Sequence, residues 1–110
     1  MGEKDYDAAL KDFDKLVVVA PDFAEGWNRR ATLRYLMDDL EGSVRDIEST
    51  LALEPRHFGA LSGLGLIYMQ LGKDEAALKA FRRALELDPY LADVKANIKK
   101  LEQELGGRAL

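Results

Sequence analysis

Apolar residues recur along this chain at steps of three and four, the spacing that places them on one face of a helix. Within residues 74–87, Ala77, Phe81 and Ala84 fall on one stripe, while Lys79 and Arg82 take the other side. The pattern predicts an all-α fold with six helices and no strand, at about residues 4–19, 24–37, 41–53, 58–71, 74–87 and 91–105. The β-branched residues 17–19 favour a strand locally, but helix-forming residues fill the equivalent places at 51–53 and 85–87.

The prolines show that these helices belong to a repeating unit. Pro21, Pro55 and Pro89 follow one another at intervals of 34 residues. Other positions keep the same interval. A large apolar residue lies eight residues before each proline, at Phe13, Ile47 and Phe81. A small residue lies twelve residues before each proline, at Ala9, Ser43 and Ala77. Small residues at a constant offset from large ones allow two helices to approach closely. We therefore expect Gly65 to pack against its partner helix.

The motif Leu61-x2-Leu64-Gly65-x2-Tyr68, followed by Ala77, Phe81, Ala84 and Pro89, resembles the tetratricopeptide repeat. Residues 24–57 resemble it more loosely, keeping Trp27, Ala31 and Pro55, and residues 1–23 resemble its second half. The resemblance implies one domain over residues 1–110. Its parts are a half repeat (1–23), two repeats (24–57 and 58–91), a closing helix (92–105) and a tail (106–110). The glycine pair at 106–107 is expected to end the closing helix. It implies a right-handed superhelix of antiparallel helix pairs, and short phrases at 26–31 and 54–65 resemble bacterial members.

Composition removes several classes of function. The 110 residues include 16 Lys and Arg against 20 Asp and Glu, a net charge of -4 that disfavours nucleic acid as the partner. There is no cysteine and a single histidine, His57, which leaves no thiolate metal site or Cys nucleophile. We expect no catalytic residue, no metal and no cofactor. A hydrolase or transferase with a hidden carboxylate site is a disfavoured alternative, since no nucleophile or cleft is evident.

Two charged positions of the middle repeat stand where the next repeat is apolar. Arg30 occupies the place of Leu64, and Asp46 occupies the place of Ala80. Because both change together, we predict a salt bridge between Arg30 and Asp46 that joins the two helices of the repeat. Arg34, which replaces the aromatic of the motif, either packs its stem with the guanidinium in water or anchors an acidic group of a partner.

The resemblance implies that the first helix of each pair lines a concave groove for a peptide or a partner helix. The candidate partner-binding residues are Asn28, Thr32, Tyr35 and Leu36 on one helix, and Ser62, Leu66, Met69 and Gln70 on the next. Gly59 and Gly63 lie on the same side, either as a contact with a neighbouring helix or as a shallow floor for a ligand. Some members of the family grip a C-terminal carboxylate with Lys, Asn and Arg. Asn28 fits part of that clamp, but the two glycines stand where Lys and Arg are needed, so we expect no such clamp.

The remaining polar residues have structural interpretations. His57 is expected to cap or pack at the start of a helix, because no second histidine can complete a catalytic site. The carboxylates at residues 38, 39 and 41, and at 5 and 7, suit helix N-termini and water. The structural residues of the prediction are Arg30, Asp46, Phe13, Trp27, Gly65 and Phe81.

The chain opens halfway through a repeat, which predicts an apolar patch at Ala9, Phe13 and Leu16. Two explanations are open: the chain is a fragment of a longer protein, or another copy covers the patch in a homodimer. The expected function is a noncatalytic scaffold that binds a protein or peptide, with self-assembly through the first helix as the alternative. Neither a membrane-inserting segment nor a targeting signal is evident, so a soluble cytoplasmic or periplasmic chain is expected and the partner is not identified by sequence.

Overall fold

The computed structural model describes the backbone of residues 3–108 and the side chains of residues 5–106. Within that part of the chain there are six α-helices and no strand. They are α1 (Glu3–Val19), α2 (Ala24–Leu36), α3 (Leu40–Leu53), α4 (Phe58–Gln70), α5 (Asp74–Leu87) and α6 (Ala92–Arg108). The predicted all-α class is confirmed, and the helix boundaries agree within three residues. Residues 17–19 continue α1, so the local strand preference is overridden.

Each proline lies two residues beyond a helix end. Helix α1 ends at Val19 before Pro21, α3 ends at Leu53 before Pro55, and α5 ends at Leu87 before Pro89. Proline has no N–H to donate and disfavours helical backbone in the residue before it. The 34-residue interval is therefore the interval at which the second helix of each pair is stopped.

The chain divides into two compact units, Met1–Pro55 and Arg56–Leu110. In the first unit, α2 packs against both α1 and α3. Its buried apolar residues include Val17, Ala24, Ala31, Leu33 and Ile47. The hydroxyl of Ser43 on α3 is also buried and donates a 2.7 Å hydrogen bond to the Ala31 carbonyl on α2. Small residues at 31 and 43 thus bring the two helices into hydrogen-bonding distance.

In the second unit, α5 packs against both α4 and α6. The core contains Ala77, Leu78, Phe81, Val94 and Leu101, all less than 9% exposed. One face of α6 packs on this core, because Val94 and Leu101 are buried and Ile98 and Leu105 pack partly buried against it.

Helix α6 does not stop where the sequence predicts. It continues through Gly106 and Gly107 to Arg108, so the predicted helix end at residue 105 is wrong. Each glycine in a helix costs about 1 kcal/mol relative to alanine, which weakens a helix but does not forbid it. The remainder of the predicted tail, residues 109 and 110, lies outside the described residues.

Both helix pairs turn through the same backbone motif. Asp38 has φ 64° and Gly72 has φ 74°, and the two are 34 residues apart. The Asp39 N–H donates to the Arg34 carbonyl at 2.8 Å, and the Lys73 N–H donates to the Tyr68 carbonyl at 2.8 Å. These bonds are those of a Schellman cap, in which the left-handed residue favours glycine. The first pair uses an aspartate at that position instead.

Gly65 on α4 leaves the space that the Phe81 side chain of α5 occupies. A Cβ atom on Gly65 would lie 2.5 Å from Cε1 and 2.6 Å from Cδ1 of Phe81, and Phe81 is fully buried. The predicted packing of Gly65 against its partner helix is therefore confirmed.

We predict that Gly65→Ala lowers the free energy of unfolding by about 1–2 kcal/mol, because the overpacking exceeds the gain in helix propensity. Gly106→Ala is the matched control, since no atom lies within 4 Å of a Cβ at that helical position. The control should gain about 0.5 kcal/mol. Urea unfolding followed by circular dichroism measures both; a Gly65→Ala protein as stable as the parent would contradict the packing role.

Candidate functional site

Arg30 and Asp46 form a bidentate salt bridge inside the first unit. Arg30 Nε donates to Asp46 Oδ2 at 3.0 Å and Nη2 donates to Oδ1 at 2.8 Å. The Asp46 side chain is only 2% exposed. The predicted salt bridge between α2 and α3 is thus present, and its two parallel bonds fix the orientation of both groups.

Two further residues extend this pair into a network. Arg34 Nη1 donates to Asp46 Oδ2 at 3.1 Å, and Arg34 Nε lies 3.8 Å from Asp39 Oδ2. Arg30 Nη1 donates to Asp14 Oδ1 on α1 at 3.0 Å. Neither alternative for Arg34 included this contact with Asp46, which lies inside the first unit. Asp14 was missed, since nothing in the sequence indicates that α1 reaches Arg30.

The network stabilises the protonated guanidinium of Arg30. The hydrogen bond to Asp46 raises the pKa of Arg30 above its ordinary value, burial opposes this, and Asp14 adds to it. A group whose pKa is raised by folding stabilises the folded state in full at any pH below its pKa in the unfolded chain. That stabilisation is lost only as the pH rises through the higher pKa of the folded state. The contribution of Arg30 is therefore constant at neutral pH. Its guanidinium also lies 5.2 Å from the centre of the Trp27 ring, a cation–π distance.

Trp27 and the N-terminal helix also have structural roles. The Trp27 indole N–H donates to the Pro21 carbonyl at 2.9 Å, which ties α2 to the preceding turn. The apolar patch predicted at Ala9, Phe13 and Leu16 is half-buried, because α1 packs against α2 and the Leu16 side chain lies beside Gly26. The prediction that these residues face no partner is wrong for Leu16; the large apolar residues of α1 that are exposed are Val18 and Val19, at 78% and 81%.

Two polar side chains cap helices. His57 Nδ1 accepts the Ala60 N–H at 3.0 Å, and Asp39 Oδ1 accepts the Gly42 N–H at 3.0 Å. The predicted capping role of His57 and the placement of Asp39 at a helix N-terminus are confirmed. Between residues 3 and 108, no helix has both the length and the apolarity that a membrane crossing requires.

The candidate residues on α2 lie on one side of that helix. Asn28 Nδ2 is 3.4 Å from Glu25 Oε1, and the Thr32 hydroxyl donates to the Asn28 carbonyl at 3.1 Å. Tyr35 is half-buried and Leu36 is exposed. These four residues belong to the first unit, whereas their counterparts on α4 belong to the second.

The second unit contains an open cleft of about 630 Å³ formed by α4, α5 and α6. Ser62 and Leu66 come from α4, Phe81 comes from α5, and residues 90–94, 96 and 97 complete the lining. Leu66 is 40% exposed and Tyr90 is 86% exposed. The Tyr90 N–H donates to Asp88 Oδ1 at 3.1 Å, which holds the turn before α6. Apolar walls with a few polar groups are typical of a ligand-binding cleft.

The cleft includes only part of the predicted set on α4. Ser62 and Leu66 line it, whereas Met69 packs against the core around Phe81 and Val94, and Gln70 is exposed outside the lining. The atoms nearest to a Cβ on Gly59 are those of the His57 ring, at 3.2 Å and 3.5 Å. Sequence reasoning missed Tyr90, Asp93 and Asn97, because it assigned α6 only a closing role.

Comparison with known proteins gives a consistent family. The tetratricopeptide repeat model matches residues 59–91. A TPR repeat-containing protein of Rhizobium etli is 43% identical over 105 residues, covering 96% of this chain. The small glutamine-rich tetratricopeptide repeat-containing protein 2 of Saccharomyces cerevisiae is 30% identical over 111 residues. This chain spans 52% of the first relative and 32% of the second.

A solved structure supports the fold assignment. The first TPR of Spaghetti (RPAP3), bound to the HSP90 peptide SRMEEVD, has a TM-score of 0.89 at 25% identity, covering 94% of this chain and 82% of that one. The structure of MamA has a TM-score of 0.86 at 20% identity, covering 92% of this chain and 59% of that one. The all-α helical-repeat fold is therefore shared over nearly the whole chain.

We predict that Asp46→Ala lowers the free energy of unfolding by about 3 kcal/mol, because it leaves Arg30 and Arg34 without their shared carboxylate. Asp14→Ala is the control, with an expected loss below about 1 kcal/mol, since the Asp14 side chain is 49% exposed. The double change Arg30→Leu with Asp46→Ala reproduces the Leu64 and Ala80 pair and should recover part of the loss. Urea unfolding tests this; a double variant less stable than Asp46→Ala alone would contradict it.

Proposed function

Because the chain belongs to the tetratricopeptide-repeat family, we propose that it is a noncatalytic protein-interaction scaffold that binds a peptide or a partner helix in the cleft of its second unit. Members of this fold present extended surfaces for binding partners. The observation that carries the proposal is the open apolar cleft in which Leu66 is exposed between α4 and α6.

The side chains around the cleft suit a polypeptide ligand. Leu66 and Tyr90 offer exposed apolar and aromatic surface, and Ser62 and Asn97 add polar groups to the same lining. Aromatic anchors surrounded by polar groups are typical of protein-binding hot spots, and an Asn side chain can both donate to and accept from a peptide backbone. The α2 residues Asn28, Thr32, Tyr35 and Leu36 stay a separate proposed set of contacts on the first unit.

The position of Leu66 allows a direct test. A random dodecapeptide library displayed on phage is selected against the immobilised protein, and enriched peptides are synthesised and measured by fluorescence polarisation. Leu66→Glu should weaken their binding at least about tenfold, because it places a carboxylate in the apolar wall. Leu71→Glu is the matched control, since Leu71 is 48% exposed on the same unit but does not line the cleft.

Three results separate this proposal from its rivals. Enriched peptides that bind Leu71→Glu normally and Leu66→Glu weakly support it. Failure to enrich any peptide above an unrelated helical protein contradicts the scaffold function. Equal binding by the two variants contradicts the cleft as the site.

Self-association through α1 is the second candidate function. It is favoured by the exposure of Val18 and Val19 near the end of that helix. Light scattering over a dilution series tests this function. A molar mass that equals that of a single chain at every concentration excludes assembly through α1. A mass that falls with dilution in the parent, but not in Val18→Glu, would support it.

A further inference from the structure

We propose that the cleft of the second unit selects basic apolar segments, in which a large apolar side chain lies next to a lysine or arginine. This inference rests on the proposed function and specifies its ligand. It starts from the charges that line the cleft, because charge arrangement determines which partners an apolar site accepts.

The α4 wall has no charge to offer. The whole helix, Phe58–Gln70, contains no Asp, Glu, Lys or Arg. An anionic ligand lying along this wall would lose water without gaining a cation, which is unfavourable. The wall therefore disfavours acidic segments and contributes only apolar and neutral polar contacts.

The opposite wall carries one charge, and it is negative. Among the described residues that line the cleft, Asp93 is the one charged side chain. It is exposed in the first turn of α6, where water contact keeps its carboxylate available to a ligand cation. A lysine or arginine beside the apolar anchor would meet Asp93, whereas a glutamate there would be repelled.

Tyr90 adds a second attraction for a cation. Tyr90 lines the cleft and is 86% exposed, and its backbone N–H donates to the Asp88 side chain. The face of an aromatic ring attracts ammonium and guanidinium groups. A basic side chain can thus lie near Asp93 or on Tyr90 while its apolar neighbour fills the space beside Leu66.

The peptides enriched in the selection described above test this inference. We expect them to combine a leucine or aromatic residue with a nearby lysine or arginine. Asp93→Asn should weaken their binding about twofold to fivefold at low salt, as is typical of an exposed ion pair, and added salt should reduce the difference. Asp93→Lys should shift the enriched sequences towards acidic residues.

Two controls make the outcome specific. Glu104→Lys makes the same charge change on the exposed surface of α6, outside the cleft lining, and should leave the enriched sequences unchanged. A synthetic copy of an enriched peptide in which each lysine or arginine is replaced by glutamate is the direct probe of the opposite preference, and we expect no saturable binding of it. Circular dichroism of each variant checks that α6 remains folded.

The outcomes distinguish the two proposals. If peptides are enriched and depend on Leu66, but lack a basic residue or bind Asp93→Asn as tightly as the parent, the charge inference is overturned while the scaffold function stands. Binding of the glutamate-substituted peptide as tightly as the enriched peptide overturns it too. If no peptide is enriched, the scaffold function itself fails.

Discussion

Close approach of two helices is the constraint on which both units depend. In the second unit it is met by absence of a side chain, because Gly65 leaves the space that the ring of Phe81 fills. In the first unit the equivalent position is Ala31, whose carbonyl accepts the hydroxyl of Ser43. A larger residue at either place would separate the helices and open the core behind them. The 34-residue repeat places a small residue at this contact in both units.

The two units differ in the residues that lie at the next equivalent positions between their paired helices. Where the second unit has Leu64 and Ala80, the first has Arg30 and Asp46, with Arg34 in the place of Tyr68. A buried ionic group costs much desolvation, so it persists where its hydrogen bonds are complete. Here the carboxylate of Asp46 accepts three hydrogen bonds from two arginines. This network fixes the register of α2 on α3, whereas apolar residues in the second unit leave the corresponding surface uncharged.

Sequence reasoning identified what depends on local spacing and missed what depends on distant contacts. The six helices, the Arg30–Asp46 pair and the Gly65 contact follow from offsets within one repeat, which the prolines make readable. The roles of Asp14 and Arg34 could not be predicted, because they need the position of α1 and the direction of a long flexible side chain. The end of α6 was misplaced because the small penalty of a glycine was treated as a stop.

The candidate site shows the same division. Ser62 and Leu66 could be found because helical periodicity places them on one face of α4. Met69 shares that face by spacing, yet its flexible side chain reaches the core beside Phe81. Tyr90 and Asp93 were not predicted as cleft residues, because the repeat motif ends at Pro89. Their place in the cleft depends on how α6 packs against α5.

Ligand preference therefore has to be argued from the site, since the repeat fold is shared by proteins with unrelated partners. The repeat dictates a pair of helices with an apolar seam, whereas the charge at the site comes from other positions: α4 is uncharged, and Asp93 is the one charged residue among the described residues of the cleft lining. The residues that make the repeat recognisable, such as Gly65 and Phe81, are taken up by packing. The exposed positions beside them are free of that constraint, so the chemistry of binding is set there.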